Sequence, residues 1–274
     1  MRFGHGLFLT GISLVGVRSL YAHPSSAIER AALDALIAEV PDNVDLYLRR
    51  AAHREDHREW SAAEADLQRA AQLAPGSASV MLALARVYLG SDRPNPARAQ
   101  LDTVLARHPG APEALVLRAR ARARLGEIAG AHADYSHAIE ALAEPSPGLF
   151  LERAALPIAT DSALRGLDEG IARLGPAGPL LESALALELR LGRTDAALAR
   201  LDVLAANSER KETWLKRRGD VLSLVGRDRE ARAAYQAALA AVGALPDWLR
   251  NSPETLRLAT ELARLTAPSS SASS

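Results

Sequence analysis

Two histidines four residues apart are the first candidates for chemistry in the 274-residue sequence. His53 and His57 have the spacing that places two side chains on one side of a helix, where both could bind a metal ion. The residue after His53 is Arg54, whereas zinc proteases of the H-E-x-x-H type carry a glutamate there. A third histidine does not follow nearby. We therefore interpret the pair as solvated helix-end residues, and we predict no metal site and no cofactor.

Residue patterns for other kinds of catalysis do not occur. The sequence has no cysteine, which excludes thiol nucleophiles, thiolate metal sites and disulfides. It contains neither a glycine-rich phosphate-binding loop nor a G-x-S-x-G nucleophile motif. Several carboxylates lie beside arginines in helical runs and are interpreted as solvated ion pairs: Asp168, Glu169, Asp202 and Asp228. The sequence therefore predicts a protein that is not an enzyme.

Charge and composition narrow the class of protein. The 33 basic and 33 acidic residues give a formal net charge of zero, which argues against nucleic acid or an anionic membrane as the partner. Hydrophobic residues make up 48% of the chain but aromatic residues only 4%. Because the sequence is rich in alanine and poor in residues that favour strands, we predict an all-α fold.

Residues 1–22 have the plan of a secretory signal peptide. Arg2 precedes an apolar run from Leu7 to Val17, and Ala22 offers a small residue at which a peptidase could cut. The run is shorter than the roughly 20 residues of a membrane-spanning helix, so a permanent anchor is not expected. An organelle transit peptide is the other interpretation, because no acidic residue precedes Glu29. We expect a periplasmic or secreted protein, with a disordered tail at residues 267–274.

A period of 34 residues organises the rest of the chain. Six alanines mark it at intervals of 34, 34, 32, 34 and 34: Ala63, Ala97, Ala131, Ala163, Ala197 and Ala231. Four residues after each alanine stands a large side chain: Leu67, Leu101, Tyr135, Leu167, Leu201 and Tyr235. Three residues later stands a smaller or aliphatic residue: Ala70, Val104, Ala138, Gly170, Leu204 and Ala238. This spacing places all three on one helix face, which a neighbouring helix must cover.

The pattern resembles the tetratricopeptide repeat family over roughly residues 44–244. The clearest unit combines Tyr47 to Ala51 with Trp60 to Ala63, and glycines occur five residues before the marker alanine in later units, at Gly126, Gly192 and Gly226. The resemblance implies a right-handed α-solenoid of about six helix-turn-helix units. We expect units 1–3 over residues 44–145 and units 4–6 over residues 146–244.

Capping helices are predicted at both ends of the array. Residues 23–43 form the N-terminal cap, with a helix from about Ala27 to Val40 whose Leu33 and Leu36 lie 34 residues before a packing pair. Residues 245–266 form the C-terminal cap, where Ser252 is the expected N-cap and Pro253 the first helical residue.

The fourth unit departs from the pattern. Its small first-helix residue, Ala154, precedes the marker Ala163 by 9 residues, whereas Ala51 precedes Ala63 by 12. Pro157 falls within the stretch that has been shortened. We therefore predict a truncated first helix and a distorted unit.

The resemblance also implies a partner-binding groove lined by the first helix of each unit. Chaperone-binding members hold an acidic tail with lysine and asparagine at the fifth and ninth positions of the first unit. Here these are Leu48 and Ala52, which argues against such a tail. The predicted groove residues are Leu82, Arg86, Leu89, Val116, Arg120, Arg124, Glu152, Arg190 and Lys216.

Three groove arginines suggest what the groove binds. Arg86, Arg120 and Arg124 are expected to share one wall, where they would repel one another unless an anion joins them. An acidic or C-terminal peptide would supply that anion, and the apolar groove residues would anchor it. The alternative is that these arginines only keep the surface soluble.

Two function classes follow. The first is a non-catalytic scaffold, located in the bacterial periplasm, that binds a peptide segment or a subunit of another protein. The second is an accessory or maturation subunit of a metalloenzyme or transporter. In that case His23, the new N-terminal residue after cleavage, would matter, although an all-α repeat does not supply the second histidine that a copper site of the histidine-brace type needs.

Overall fold

The structure is a computed structural model that describes residues 24–267. The predicted signal peptide, its cleavage point after Ala22 and the serine-rich tail beyond Ala267 lie outside the described residues. Residues 24–267 contain fifteen helices and no strand, which confirms the all-α prediction. Contacts divide the chain after Pro109 into two compact units, and each is described by itself.

The first unit, over residues 24–109, contains five helices. They are α1 (Pro24–Glu39), α2 (Val44–Asp56), α3 (Trp60–Leu73), α4 (Ala78–Gly90) and α5 (Pro94–Arg107). Consecutive helices pack as the pairs α2 with α3 and α4 with α5, and α1 packs on α2. This unit therefore holds two helix pairs and the N-terminal cap.

The second unit, over residues 110–267, contains ten helices. They are α6 (Pro112–Arg124), α7 (Ile128–Ala141), α8 (Pro147–Ala154), α9 (Thr160–Leu174), α10 (Gly178–Arg190), α11 (Thr194–Ala206), α12 (Lys211–Leu224), α13 (Asp228–Gly243), α14 (Asp247–Arg250) and α15 (Pro253–Thr266). They form four further pairs, from α6 with α7 to α12 with α13, and α15 packs on α13. The described residues thus contain the six predicted helix pairs. The division into units 1–3 and 4–6 at residue 145 stays a prediction.

The marker alanines lie in the cores of the two units. All six are buried, together with the large side chain four residues after each of them. In the first unit Ala63 and Leu67 pack with Tyr47 and Ala51 of the paired first helix. An alanine at this position lets two helix axes approach closely, and the larger residue one turn later fills the remaining space. The 34-residue period of the sequence is therefore the trace of a helix-packing contact that is repeated along the chain.

The turn inside five of the six helix pairs in the described residues contains a left-handed backbone residue, and the α8–α9 loop is the exception. Gly126, Gly192 and Gly226 have φ angles of 76°, 68° and 76°, as their position before the second helix predicted. In the first unit the same turn position is held by Arg58 and Asp92, with φ angles of 58° and 57°. Left-handed backbone is unfavourable for a residue with a Cβ atom, so these two turns carry local strain.

Both capping helices form, although one packing residue differs from the prediction. The Ser252 hydroxyl accepts a hydrogen bond from the Thr255 N–H at 3.3 Å, and α15 begins at Pro253 as expected. In α1, Leu33 is buried but Leu36 is 41% exposed, and Ile37 takes the inward place. The packing place predicted for Leu36 was therefore wrong.

The first helix of the fourth pair is short. α8 ends at Ala154 after eight residues, whereas α2, α4, α6 and α10 each have 13. Residues 155–159 then form a loop around Pro157, whose ring disfavours helical backbone in the residue before it. The missing helical turns leave space beside α9 and α10.

In each unit a buried aspartate joins the two helices of one pair. Asp66 on α3 accepts hydrogen bonds from Arg50 and Arg54 of α2. Asp134 on α7 accepts them from two arginines of α6 with the same sequence spacing, 68 residues later, which are Arg118 and Arg122. The same ion-paired cluster thus occurs in the first and the third helix pair.

Candidate functional site

The predicted groove residues all lie on first helices, and we use the term first-helix face for the exposed surface of the first helices within each compact unit. The predicted residues are Leu82, Arg86 and Leu89 of α4 in the first unit, and Val116, Arg120 and Arg124 of α6, Glu152 of α8, Arg190 of α10 and Lys216 of α12 in the second. Because the two sets belong to different compact units, the structure is described separately for each.

Arg120 and Glu152 form a bidentate ion pair on this face. Nε and Nη2 of Arg120 each donate to a Glu152 carboxylate oxygen at 2.8 Å, which joins α6 to α8. The Tyr135 hydroxyl donates to the same carboxylate at 2.8 Å. Glu152 is thus held by three hydrogen bonds from two directions, and a bidentate pair of this kind fixes the geometry of both side chains.

These contacts shift the pKa values of all three groups. Hydrogen bonds from Arg120 lower the pKa of Glu152, and Tyr135 adds to this effect, while partial burial opposes it. The pKa of Arg120 is raised by its hydrogen bonds to Glu152. Burial, and then the hydrogen bond to the carboxylate, raises the pKa of Tyr135. Each pKa shift favours the protonation state that the group has in the hydrogen-bonded cluster, which is an ionised Glu152, a protonated Arg120 and a neutral Tyr135.

Other charged residues of the face also have partners inside the protein. Arg86 Nε lies 3.5 Å from the carboxylate of Glu55 on α2. Lys216 Nζ lies 3.0 Å from Asp220 and 3.1 Å from Glu261 on α15. Arg124 is exposed and has an interaction partner as well. The expectation that the arginines need an external anion therefore does not hold for Arg86 and Arg120, because each already has a carboxylate of its own.

The apolar residues of the face divide into accessible and buried positions. Leu82 and Val116 are half-buried, which leaves part of each side chain open to a partner. Leu89 is only 6% exposed. Its assignment as an apolar anchor is corrected, because so little of its side chain is open to a partner.

Arg190 differs from the other cations of the face. It is exposed at the last residue of α10 and makes no hydrogen bond or ion pair within residues 24–267. It lines a cavity of about 570 Å³ between α8, α9 and α10, which we call the α8–α10 pocket. The apolar wall of the pocket includes Leu151, Leu156, Ile158, Leu167 and Leu187.

The α8–α10 pocket occupies the space left by the truncated helix. The loop that replaces the missing turns of α8 supplies four consecutive lining residues, from Ala155 to Ile158. The volume lies in the range of small-ligand sites, about 300–1,000 Å³. Among the described residues that line it, Arg190 is the one charged side chain, so a negative group is the complementary ligand chemistry there.

The histidine pair lies at the C-terminal end of α2. The rings of His53 and His57 lie 4.7 Å apart at a tilt of 54°. Within residues 24–267, no group of three or more histidine, aspartate and glutamate side chains is arranged to hold a metal ion. Of the helices in this range, none combines the length and the apolar character that crossing a membrane requires.

Two family models match this arrangement of helix pairs. The model described as tetratricopeptide repeat matches residues 56–122, and the model described as tetratricopeptide repeat-like domain matches residues 184–250. The chain is a tetratricopeptide repeat protein. Members of this family are typically non-catalytic and mediate protein interactions. No curated protein sequence matches the chain.

Solved tetratricopeptide repeat structures have the same fold at low sequence identity. A repeat protein from Parabacteroides merdae gives a TM-score of 0.54 at 18% identity, over 88% of this chain and 92% of that chain. The C-terminal part of a repeat-containing protein from Cytophaga hutchinsonii gives 0.63 at 13% identity, over 85% and 94%. PilW, a type IV pilus biogenesis factor, gives 0.57 at 21% identity, over 66% and 86%.

The repeats share one further surface feature. The fifth residue of the first helix is a half-buried aliphatic residue in each of the first four repeats: Leu48, Leu82, Val116 and Leu151. In the first three repeats Glu55, Arg86 and Arg120 lie one or two turns further along the same helices and form ion pairs.

Sequence reasoning missed the buried carboxylates Asp66 and Asp134. The sequence signal for each of them is a pair of arginines four residues apart, the second of which lies 12 residues before the aspartate.

Proposed function

We propose that this tetratricopeptide repeat protein is a non-catalytic scaffold that binds a segment of another protein on its first-helix face. The observation that carries the proposal is the recurrence of a half-buried aliphatic residue at the fifth position of the first helix. Partly exposed aliphatic residues beside half-exposed ion pairs have the composition of a protein interface, in which apolar anchors are surrounded by polar groups.

The ion pairs support the same function. Arg120 and Glu152 are held in fixed positions before any partner arrives, which lowers the entropy that binding must overcome. Charges of both signs along the face favour a partner segment of mixed charge over a uniformly acidic tail.

The test compares matched pairs of substitutions in the protein isolated from the cells that naturally make it. Leu82→Gln with Val116→Gln alters the first-helix face, and Leu73→Gln with Leu239→Gln alters half-buried aliphatic residues of second helices. Size-exclusion chromatography with mass photometry measures whether the native complex forms, and circular dichroism checks that both variants are folded. We expect loss of the complex in the first variant alone. Retention of the complex by a folded Leu82 and Val116 variant, or a wild-type protein that forms no complex, contradicts the proposal.

We further propose that the scaffold acts in the periplasm in envelope assembly. Arg2 and the apolar run from Leu7 to Val17 support export. PilW, one of the similar structures, is described as a type IV pilus biogenesis factor, and pilus biogenesis is one form of envelope assembly. Intact mass spectrometry of the protein from its native cells tests the cleavage after Ala22. A mature species that retains Arg2 would overturn export by this route.

A further inference from the structure

The α8–α10 pocket joins an apolar wall to one cation that has no partner within the described residues. We propose that it binds the C-terminal end of a partner polypeptide, with an aliphatic side chain among the leucines and the terminal carboxylate on Arg190. This proposal rests on the scaffold function and names the part of the partner that one site takes. It also differs from the mid-groove cluster expected from the sequence, because Arg86 and Arg120 are already paired.

The shape of the pocket follows one face of α10. Ser183, Ala186, Leu187 and Arg190 all line it and have the spacing i, i+3, i+4 and i+7. Seven residues of helix rise by about 10 Å, which is the length of about three residues of extended chain. A bound C-terminal tripeptide is therefore long enough to reach from the Ser183 hydroxyl at one end of this face to the Arg190 guanidinium at the other.

The polar groups of the pocket favour a peptide over a fatty acid. Thr160 and Ser183 both line it, and neither hydroxyl forms a hydrogen bond within residues 24–267. A hydroxyl can accept from a peptide N–H and donate to a peptide C=O. A fatty acid matches the apolar wall and the cation but has no amide for these hydroxyls.

The C-terminal carboxylate also suits the position of the cation. In a C-terminal leucine or valine, the carboxylate and the aliphatic side chain are attached to the same Cα atom, so the anion is held close to the apolar group. Arginine can bind such a carboxylate with two parallel hydrogen bonds. Because Arg190 has no internal carboxylate to release, the ligand does not have to displace an existing ion pair.

The experiment uses the full chain and a fluorescein-labelled synthetic heptapeptide that ends in two leucines, made with a free C-terminal carboxylate and as the C-terminal amide. Fluorescence anisotropy gives the affinity of each form. We expect the free acid to bind about tenfold or more tightly than the amide, because the acid alone forms charge-assisted hydrogen bonds with Arg190. Arg190→Gln should reduce the affinity for the acid to that for the amide.

Two controls separate the site from general effects. Arg264→Gln removes an exposed arginine from the last turn of α15 and should leave both affinities unchanged. Ala186→Leu narrows the pocket and should weaken acid and amide alike, whereas Ala233→Leu on the exposed surface of α13 should not. Circular dichroism of each variant shows whether it is folded.

Several outcomes would overturn the proposal. They are equal affinities for acid and amide, an Arg190→Gln variant that binds like wild type, no binding of the free acid at millimolar concentration, and tighter binding of dodecanoate than of the peptide. The scaffold function is tested separately by the Leu82 and Val116 variant. A native complex that needs those residues, together with equal affinities for acid and amide here, would overturn the pocket proposal and leave the scaffold function standing.

Discussion

Substitution of the buried carboxylate Asp134 should lower stability far more than substitution of an exposed one. Asp134 is 2% exposed and accepts three hydrogen bonds, from Arg118 Nε at 2.9 Å, Arg118 Nη2 at 2.8 Å and Arg122 Nη1 at 2.9 Å. Asp134→Asn removes the buried carboxylate that two largely buried guanidinium groups share. Removal of one partner from a buried ion pair costs about 3–5 kcal/mol. We expect about 3 kcal/mol, since both arginines keep some contact with water.

A matched control is provided by Asp202, which accepts a hydrogen bond from Arg218 at the same sequence separation of 16 residues. Its side chain is 57% exposed, so Asp202→Asn should cost about 1 kcal/mol or less. For a unit of this size, 3 kcal/mol corresponds to a fall in Tm of about 6–12 °C. Urea unfolding and thermal melting, both followed by circular dichroism, measure the two variants. Equal losses for Asp134→Asn and Asp202→Asn would refute the reasoning that burial, rather than pairing alone, sets the cost.

Three further changes test the packing, the turns and the ion pair of the first-helix face. Ala97→Leu should overpack the α4–α5 contact and cost about 1–3 kcal/mol in urea unfolding, and a loss below about 0.5 kcal/mol would contradict the assigned repeat contact. Arg58→Gly should raise the free energy of unfolding by about 0.5–1 kcal/mol, because glycine relieves the left-handed backbone at φ 58°; an unchanged or lower value would show that the turn is not strained. The pKa of Glu152 is lowered in the folded state, so its carboxylate stabilises the fold above the ordinary glutamate pKa near 4.5, and this contribution is lost as pH falls through the folded-state pKa. The stability difference between wild type and Glu152→Gln should therefore be larger at pH 7 than at pH 3, and a difference that does not depend on pH would contradict the assignment.

The repeated contacts could be predicted from sequence because one physical requirement recurs every 34 residues. A small side chain where two helices cross and a large one a turn later leave a periodic trace, as Ala63 and Leu67 illustrate. The truncated α8 was predictable for a similar reason, since Pro157 and a shortened interval both lie in the chain itself.

Contacts between different first helices could not be predicted in this way. Arg120 looks like any exposed helical arginine in the sequence, and its partner Glu152 is 32 residues away on α8. The burial of Asp134 was missed because a helical carboxylate considered alone looks solvated, and only the preceding arginine pair, Arg118 and Arg122, distinguishes it. The pocket beside Arg190 depends on the path of residues 155–159, which the shortened interval alone does not determine.

Site-specific photocrosslinking in the cells that naturally make the protein tests most directly whether a partner binds on the first-helix face. p-Benzoylphenylalanine is placed either at Glu182, an exposed position on α10 beside the pocket-lining Ser183, or at Gln236, an exposed position on the second helix α13. The account predicts a discrete crosslinked protein from position 182 and none from position 236, with the crosslinked peptide mapping to the C-terminal end of the partner. Crosslinks from position 236 with none from position 182 would contradict it.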